Sequence, residues 1–420
     1  MKRSLIFLVS CLLIITACSE TDSIDNQSSE KEQKHIQETS DLLAFFNTNA
    51  YNKDFKTFYS EVDNEGKVVS SKVYNVALSR LIYGLSYAAS IDTVYLKKAQ
   101  DAVNFQLDHI VQQNEQDTYF ASYFDIETGN ADSSLNLDIW QQAYGLCGLS
   151  ELYRNFPEEK LLSKIHQLHR DFVNKFHDKS NGGFYGNYAN DEGVSGSKSL
   201  QALLYPITSY MENLWSADVK NRDKYESYLK ENIALAYKNG WNKELGWVNI
   251  KFDDNWNPCS HDSPTTPCFN VTPGHNFQFA TLFLRAKNWT FLTEEERVKY
   301  KAFGMEVLET TLSKPIFPKE DLSQGFYSEV NPVTSEVVDN RKTWWQHCEA
   351  LIPLSLADGA FEAQYANLQA FYFKAFFDKK FGGEYFYIDK ENTPQTDELK
   401  GSIGKSAYHT IEMIRFLRNK

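Results

Sequence analysis

The chain has 420 residues and a formal net charge of −13, with no basic cluster in its body, which excludes a nucleic-acid binder and a protein that docks on an anionic membrane surface. Hydrophobic residues make up 42%, enough for a sizeable core in one large domain or two to three ordinary ones. Aromatic residues reach 15%, with 29 Phe, 24 Tyr and 8 Trp, an excess that suits either an aromatic-rich core or a protein that stacks on carbohydrate.

The first residues set the expected compartment. Met1-Lys2-Arg3 is a positive n-region, and the apolar run 5–15 is too short to span a bilayer. Ile15-Thr16-Ala17-Cys18 resembles a bacterial lipobox. Residues 1–17 are therefore expected to be a lipoprotein signal peptide, with Cys18 lipidated. The body is expected in water outside the inner membrane, in the periplasm or at the cell surface, held to the membrane by the lipid anchor only. No later apolar run is long enough for a membrane helix. Residues 18–40 are rich in Glu, Gln, Ser and Asp and read as a flexible tether, which includes His35. The folded domain is expected over 41–420.

From there the apolar period is near 3.6. Helices are predicted over 73–89 and 92–110, 139–153 and 158–176, 199–215 and 225–238, 276–289 and 294–312, 344–356 and 361–376, with a last one over 404–419. A glycine–aromatic motif recurs between the pairs, as in Gly182-Gly183-Phe184-Tyr185, Gly325-Phe326-Tyr327 and Gly382-Gly383-Glu384-Tyr385. Such a motif reads as a short strand or hairpin, so the repeating unit is helix, helix, hairpin. The expected class is all-α: an (α/α)6 toroid with short β-hairpins at one mouth. An open solenoid is the alternative. Closure is preferred because the last helix is too apolar to cap an open end.

Cys259 and Cys268 flank a short Pro-containing segment and are expected to form a disulfide, worth up to about 3 kcal/mol for a loop of about ten residues; a metal pair is the alternative. Cys147 and Cys348 sit in apolar helical patterns and are expected to be buried thiols. Among the histidines, His275 and His409 each stand at a predicted helix start. The positive end of a helix disfavours imidazolium, and a neutral histidine is what a general base requires. Trp344 and Trp345 are neighbours about 100° apart on a helix, so they face different ways. Glu349 lies four residues after Trp345 and shares its face. Aromatic faces and a carboxylate together suit a sugar. No metal-ligand motif, nucleophile elbow or phosphate loop appears.

Three segments carry a family resemblance. Gly274-His275-Asn276-Phe277-Gln278 is similar to the Gly-His-Asn-x-Glu motif of the N-acylglucosamine 2-epimerase family, which includes cellobiose 2-epimerases and aldose–ketose isomerases. Lys342 through Leu351, with Trp344-Trp345 and Glu349-Ala350, resembles a second family segment. Tyr408-His409-Thr410 resembles the third, and Arg80 in an early apolar helix also looks like the family. The resemblance implies an (α/α)6 barrel and cofactor-free proton transfer through an enediolate. It implies His275 and His409 as the acid–base pair and Arg80 as the group stabilising the enediolate oxygen. Trp344 and Trp345 would stack on the sugar, and Glu349 would orient hydroxyls or a histidine. Gln278 stands where the family has Glu, and His347 where it has Gln. The middle helix lacks the family's histidine, so Gln201 or Tyr205 is expected to stand in.

The expectation is thus a sugar 2-epimerase or aldose–ketose isomerase acting on a mono- or oligosaccharide, with no cofactor and no metal, as a monomer or homodimer. The rival readings are a glycoside hydrolase or lyase on the same toroid and a non-catalytic glycan-binding lipoprotein.

Overall fold

The computed structural model describes residues 32–114, 117–134, 136–189, 193–195, 198–260 and 270–418. The expected signal peptide, Cys18, His261 and Cys268 lie outside the described residues. Helices dominate: α1 (32–49), α2 (Asn75–Ala89), α3 (Leu96–Phe105), α4 (Ile139–Asn155), α5 (Glu159–Phe176), α6 (Leu200–Pro206), α7 (Glu212–Ala217), α8 (Arg222–Asn239), α9 (Pro273–Arg285), α10 (Glu294–Leu312), α11 (Trp344–Leu356), α12 (Glu362–Ala375) and α13 (Tyr408–Arg418). No helix among the described residues is long and apolar enough to cross a membrane.

The inner ring is formed by α2, α4, the α6–α7 rod, α9, α11 and α13. Helix α2 packs on α4, α4 on α6 and α7, α9 on α11, α11 on α13, and α13 returns to α2. Every residue of α2 is buried, as expected for a helix covered all round rather than amphipathic. Closure of the ring is specific. Ser406 donates to the Ala77 carbonyl (3.0 Å) and Arg80 to the Gly404 carbonyl (2.6 Å). Gly84 permits the approach, since a Cβ there would lie 2.8 Å from that of Ala407. The expected (α/α)6 toroid is the observed fold. Its small antiparallel sheets, none wider than three strands among the described residues, come from the glycine–aromatic segments and their neighbours.

Two expectations change. The tether does not extend to residue 40: the chain is helical from residue 32, with His35 and Thr39 buried. The reason is a role that composition hides. Helix α1 supplies the outer partner of α13, with Leu42, Leu43, Phe45 and Phe46 in the core. Arg418 on α13 pairs with Glu32 (2.7 Å). The predicted helix 199–215 is also broken. Pro206 has no N–H to continue the ladder, and the backbone widens into a π turn over Ile207–Met211 before resuming as α7.

Most of the aromatic excess packs the interior. Trp247, Trp256, Trp289, Tyr83, Tyr144, Tyr210, Tyr225 and Tyr372 are all fully buried. At the C-terminal end of the inner helices, Glu151, Arg154, Glu212, Arg285, Glu412 and Arg415 form a buried ion network, with Arg285–Glu412 at 3.3 Å and Arg415–Glu412 at 3.4 Å. The residues singled out in the sequence lie at the opposite, N-terminal end of these helices.

Candidate functional site

Helix α9 starts with Pro273, whose fixed φ suits the first helical turn. Its Gly274 N–H donates to Gln346 Oε1 (2.8 Å), and Gln346 Nε2 donates to the Ser328 carbonyl (3.0 Å). A Cβ on Gly274 would sit 2.7 Å from Gln346 Cγ and 2.8 Å from the Trp345 ring, so glycine is what lets α9 dock on α11 here. That docking sets His275 against Trp345, with ring centroids 5.5 Å apart.

Trp345 also meets His409, at 5.7 Å. The partly exposed Trp345 therefore touches both histidines. Trp344 does not share this role. It is buried, packs edge-on to Phe386 at 4.6 Å, and carries the Lys405 ammonium 4.4 Å over its face. It backs the site by touching His409 (6.0 Å) rather than offering a free face.

The histidines have different surroundings. His409 Nδ1–H donates to Glu349 Oε1 (2.7 Å), which leaves Nε2 as the free nitrogen. Burial lowers the pKa of His409, and the Glu349 carboxylate opposes part of that drop. His275 has no carboxylate bonded to it among the described residues. Instead the Gln201 amide N–H reaches its Nε2 (3.2 Å). Burial alone brings His275 down to about 4.

Arg80 comes from α2. Its guanidinium lies 4.0 Å over the Tyr144 ring, and its Nε has no hydrogen-bond partner among the described residues. Tyr144 touches Tyr205 (5.3 Å) and Tyr408 (5.5 Å) edge-on, and Tyr408 donates to the Thr208 carbonyl (3.0 Å). Arg80 packs on two of these rings, Tyr144 and Tyr408. Burial pushes the Tyr144 phenol up to about 12 and that of Tyr205 higher still, so both remain neutral. A cavity of about 450 Å³ opens beside His275, lined in part by Asp138, Trp140, Asn187, Gln201, Tyr205 and Asn270. Gln278 follows His275 by one turn and is partly buried.

His347 is not a sugar contact. It is fully buried, stacked on Phe326 at 4.2 Å. Its Nδ1–H donates to the Thr343 carbonyl (2.8 Å), and its Nε2 accepts the Phe326 N–H (3.2 Å). The position lies two residues from Trp345, and that turns it to the far side of α11. Cys147 and Cys348 are buried free thiols, as expected. Cys259 is disulfide-bonded, and Cys268 lies outside the described residues. No cluster of three metal-ligating side chains occurs among the described residues.

Several site-building residues escaped the sequence reading. Gln346 aligns α9 on α11. Glu384 accepts Thr410 Oγ1–H (2.9 Å) and pairs with Lys405 (3.7 Å), which anchors the turn that carries His409. The available signal was a lone acid in Gly383-Glu384-Tyr385, a segment otherwise glycine and aromatic.

Comparison with known proteins agrees with the fold. The family model for N-acylglucosamine 2-epimerase (GlcNAc 2-epimerase) matches residues 57–413. No curated protein matches the chain by sequence. Among solved structures, cellobiose 2-epimerase from Bacillus thermoamylovorans superposes with a TM-score of 0.78 at 16% identity, over 95% of this chain and 99% of that one. A D-mannose isomerase gives 0.76 at 18% identity, over 92% and 96%. A family 76 α-mannanase from Bacteroides thetaiotaomicron shares the toroid more loosely, at 0.61 and 11% identity over 92% and 95%. With the family model covering most of its length and the paired histidines at one mouth of an (α/α)6 ring, this chain belongs to the N-acylglucosamine 2-epimerase family of carbohydrate epimerases and isomerases.

Proposed function

We propose that the protein is a cofactor-independent sugar 2-epimerase or aldose–ketose isomerase that acts on the open-chain reducing end of a mono- or oligosaccharide. The observation that carries this reading is the convergence of His275 and His409 on one indole, Trp345, at 5.5 and 5.7 Å. In this reading a sugar stacks on Trp345, and His409 Nε2 takes the proton from the carbon beside the carbonyl. Glu349, bonded to Nδ1, offsets the charge of the imidazolium that forms. The Arg80 guanidinium, close enough to His409 to lower its pKa, supplies a positive charge suited to stabilising the enediolate. Neither acid near the site is free to act as a glycosidase pair. Asp138 caps α4 through the Gln141 N–H (2.8 Å), and Glu349 is engaged by His409.

The test is proton exchange. The protein is incubated with D-glucose, D-mannose or cellobiose in heavy water and followed by NMR. Deuterium entering at C1 or C2, and lost in His409→Asn, is expected. Release of new reducing ends from a polysaccharide, without exchange, would replace this reading with a hydrolase. Glycan binding with neither outcome would make the protein a lectin-like module.

The lipid anchor is proposed from the lipobox alone. Metabolic labelling with a radioactive fatty acid should mark the wild-type chain and not Cys18→Ala. Equal labelling of both would reject the anchor.

A further inference from the structure

The two histidines at the site do not carry equal chemistry. His409 is a His–carboxylate pair: Nδ1–H is donated to Glu349 at 2.7 Å, and Nε2 is left free. When this ring takes a proton, the carboxylate is already in contact with the charge. His275 is met by a neutral amide instead, and at the other ring nitrogen, since the Gln201 N–H is directed at Nε2 over 3.2 Å. A donor held against a ring nitrogen favours the form in which that nitrogen is bare, and it repels a proton placed there. Position 278, one turn further along α9, is also an amide. Trp345 fills the other flank of His275 with an apolar face. The charged groups lining the cavity that His275 faces are Asp138, Lys198 and Lys251. Asp138 is committed to the start of α4, and Lys198 to Asp178 at 2.5 Å.

We propose that the site has one working base, the His409–Glu349 pair, with Gln201 placing an amide where His275 would need a carboxylate to hold a proton, and that the reaction it is built for is aldose–ketose isomerisation rather than 2-epimerisation. The inference rests on the reading of the protein as an epimerase or isomerase. Epimerisation removes the C2 proton from one face and returns a proton to C2 from the other, so it needs a proton carrier on both faces. Isomerisation needs only one. His409 Nε2 takes the proton from C2, the C2–H electron pair becomes the C1=C2 bond, and the carbonyl π pair moves to O1. The O2 proton passes to O1, the freed O2 pair forms C2=O, and the C1=C2 pair takes back the proton that His409 holds. No proton or electron is left over, and no co-reactant is required. Consistent with this, burial brings His275 to about 4, so at pH 7 roughly one ring in a thousand carries the proton that the second face would need.

The experiment follows initial rates of product formation by NMR for wild type, Gln201→Glu and Gln201→Leu, with D-glucose, D-mannose and cellobiose as probes. Ketose is expected as the first product of the wild type, with the 2-epimer at a rate lower by about tenfold or more, given the scarcity of imidazolium at His275. Gln201→Glu places a carboxylate beside His275, and the epimer share should rise by about tenfold. Gln201→Leu, which removes the amide without adding charge, should leave the partition with ketose dominant. An unmoved product ratio in Gln201→Glu, with total rate changed equally for both products, would show a purely structural role for Gln201 and overturn its assignment. An epimer formed first by the wild type, with complete solvent deuterium at C2, would overturn the one-base proposal while leaving the sugar epimerase reading intact. Absence of exchange in every probe would remove both.

Discussion

His409 and His275 are the same residue type, and what they do is decided by one neighbour each. Glu349 supports a charge on His409, so Glu349→Gln should lower kcat by about 10²-fold, toward the lower end of what a positioned acid–base group contributes, with little change in KM. It should also shift the pH profile in a defined direction. Burial lowers the pKa of His409 and the carboxylate opposes the drop. As the proposed base, the ring works unprotonated, so the acid limb of kcat/KM should fall below the ordinary histidine value near 6.5. Removing the carboxylate should move that limb lower still. A limb at or above 6.5 in the wild type would show that the ring is not buried in the working enzyme. The residue types at this site were legible in the sequence because Gly-His-Asn, Trp-Trp and Tyr-His-Thr are local strings. Which side chain faces the cavity was not. Trp344 and His347 sit among the same ten residues as Trp345 and Glu349, yet one backs the site and the other packs away from it on Phe326. His347→Ala should therefore leave KM unchanged and lower stability by about 1–3 kcal/mol, because it strands the buried Phe326 N–H. A raised KM with unchanged stability would return His347 to the sugar site.

At the scale of elements, the glycine–aromatic hairpins show why a motif can be read and its purpose missed. Asp178 and Asp378 open two of them, and each holds a buried lysine from a later segment, Lys198 and Lys400, at 2.5 Å. Burial works against each carboxylate, but the ammonium and nearby N–H groups outweigh it, and both acids end below their ordinary range. The partner lysines are about twenty residues downstream, beyond any local pattern, so the sequence offered the glycines and not the clasp. Asp378→Asn should destabilise the fold by about 3–5 kcal/mol by leaving the Lys400 charge buried without its counter-ion. The denaturant midpoint measures this, and a shift no larger than that of an exposed Asp→Asn control would show that the clasp does not hold the hairpin. Helix α1 illustrates the opposite case. Its first turns read Glu32-Gln33-Lys34-His35-Ile36-Gln37-Glu38, mostly polar as a tether is, and only the closed ring reveals that α13 needs a cover. The expectation of closure, drawn from the apolar last helix, contained that partner without locating it.

For the whole molecule, the buried His169 and His347 and the half-buried His275 couple the fold to pH. Burial holds His169 and His347 at about 3, and His275 at about 4. In the unfolded chain each returns to about 6.5. Between those values the unfolded state binds protons that the folded state refuses, so stability must fall as pH drops through 6.5 and must be fully present above it. Each group contributes about 1.4 kcal/mol per pH unit once pH is well below 6.5, so the three together give a slope of roughly 4 kcal/mol per unit between about pH 5.5 and 4. The depressed carboxylates Asp178 and Asp378 act in the same direction at lower pH, since they too are lost on protonation. Urea unfolding at pH 7.5, 5.5, 5 and 4.5 measures the slope. His347→Gln, which keeps an acceptor for the Phe326 N–H but cannot titrate, should lower that slope by about one third. A flat dependence across this range would mean that the rings are charged in the folded protein. The apolar packing of His347 between Phe326 and Phe371 would then be wrong, and with it the account of how α11 presents Trp345 and Glu349 to the sugar.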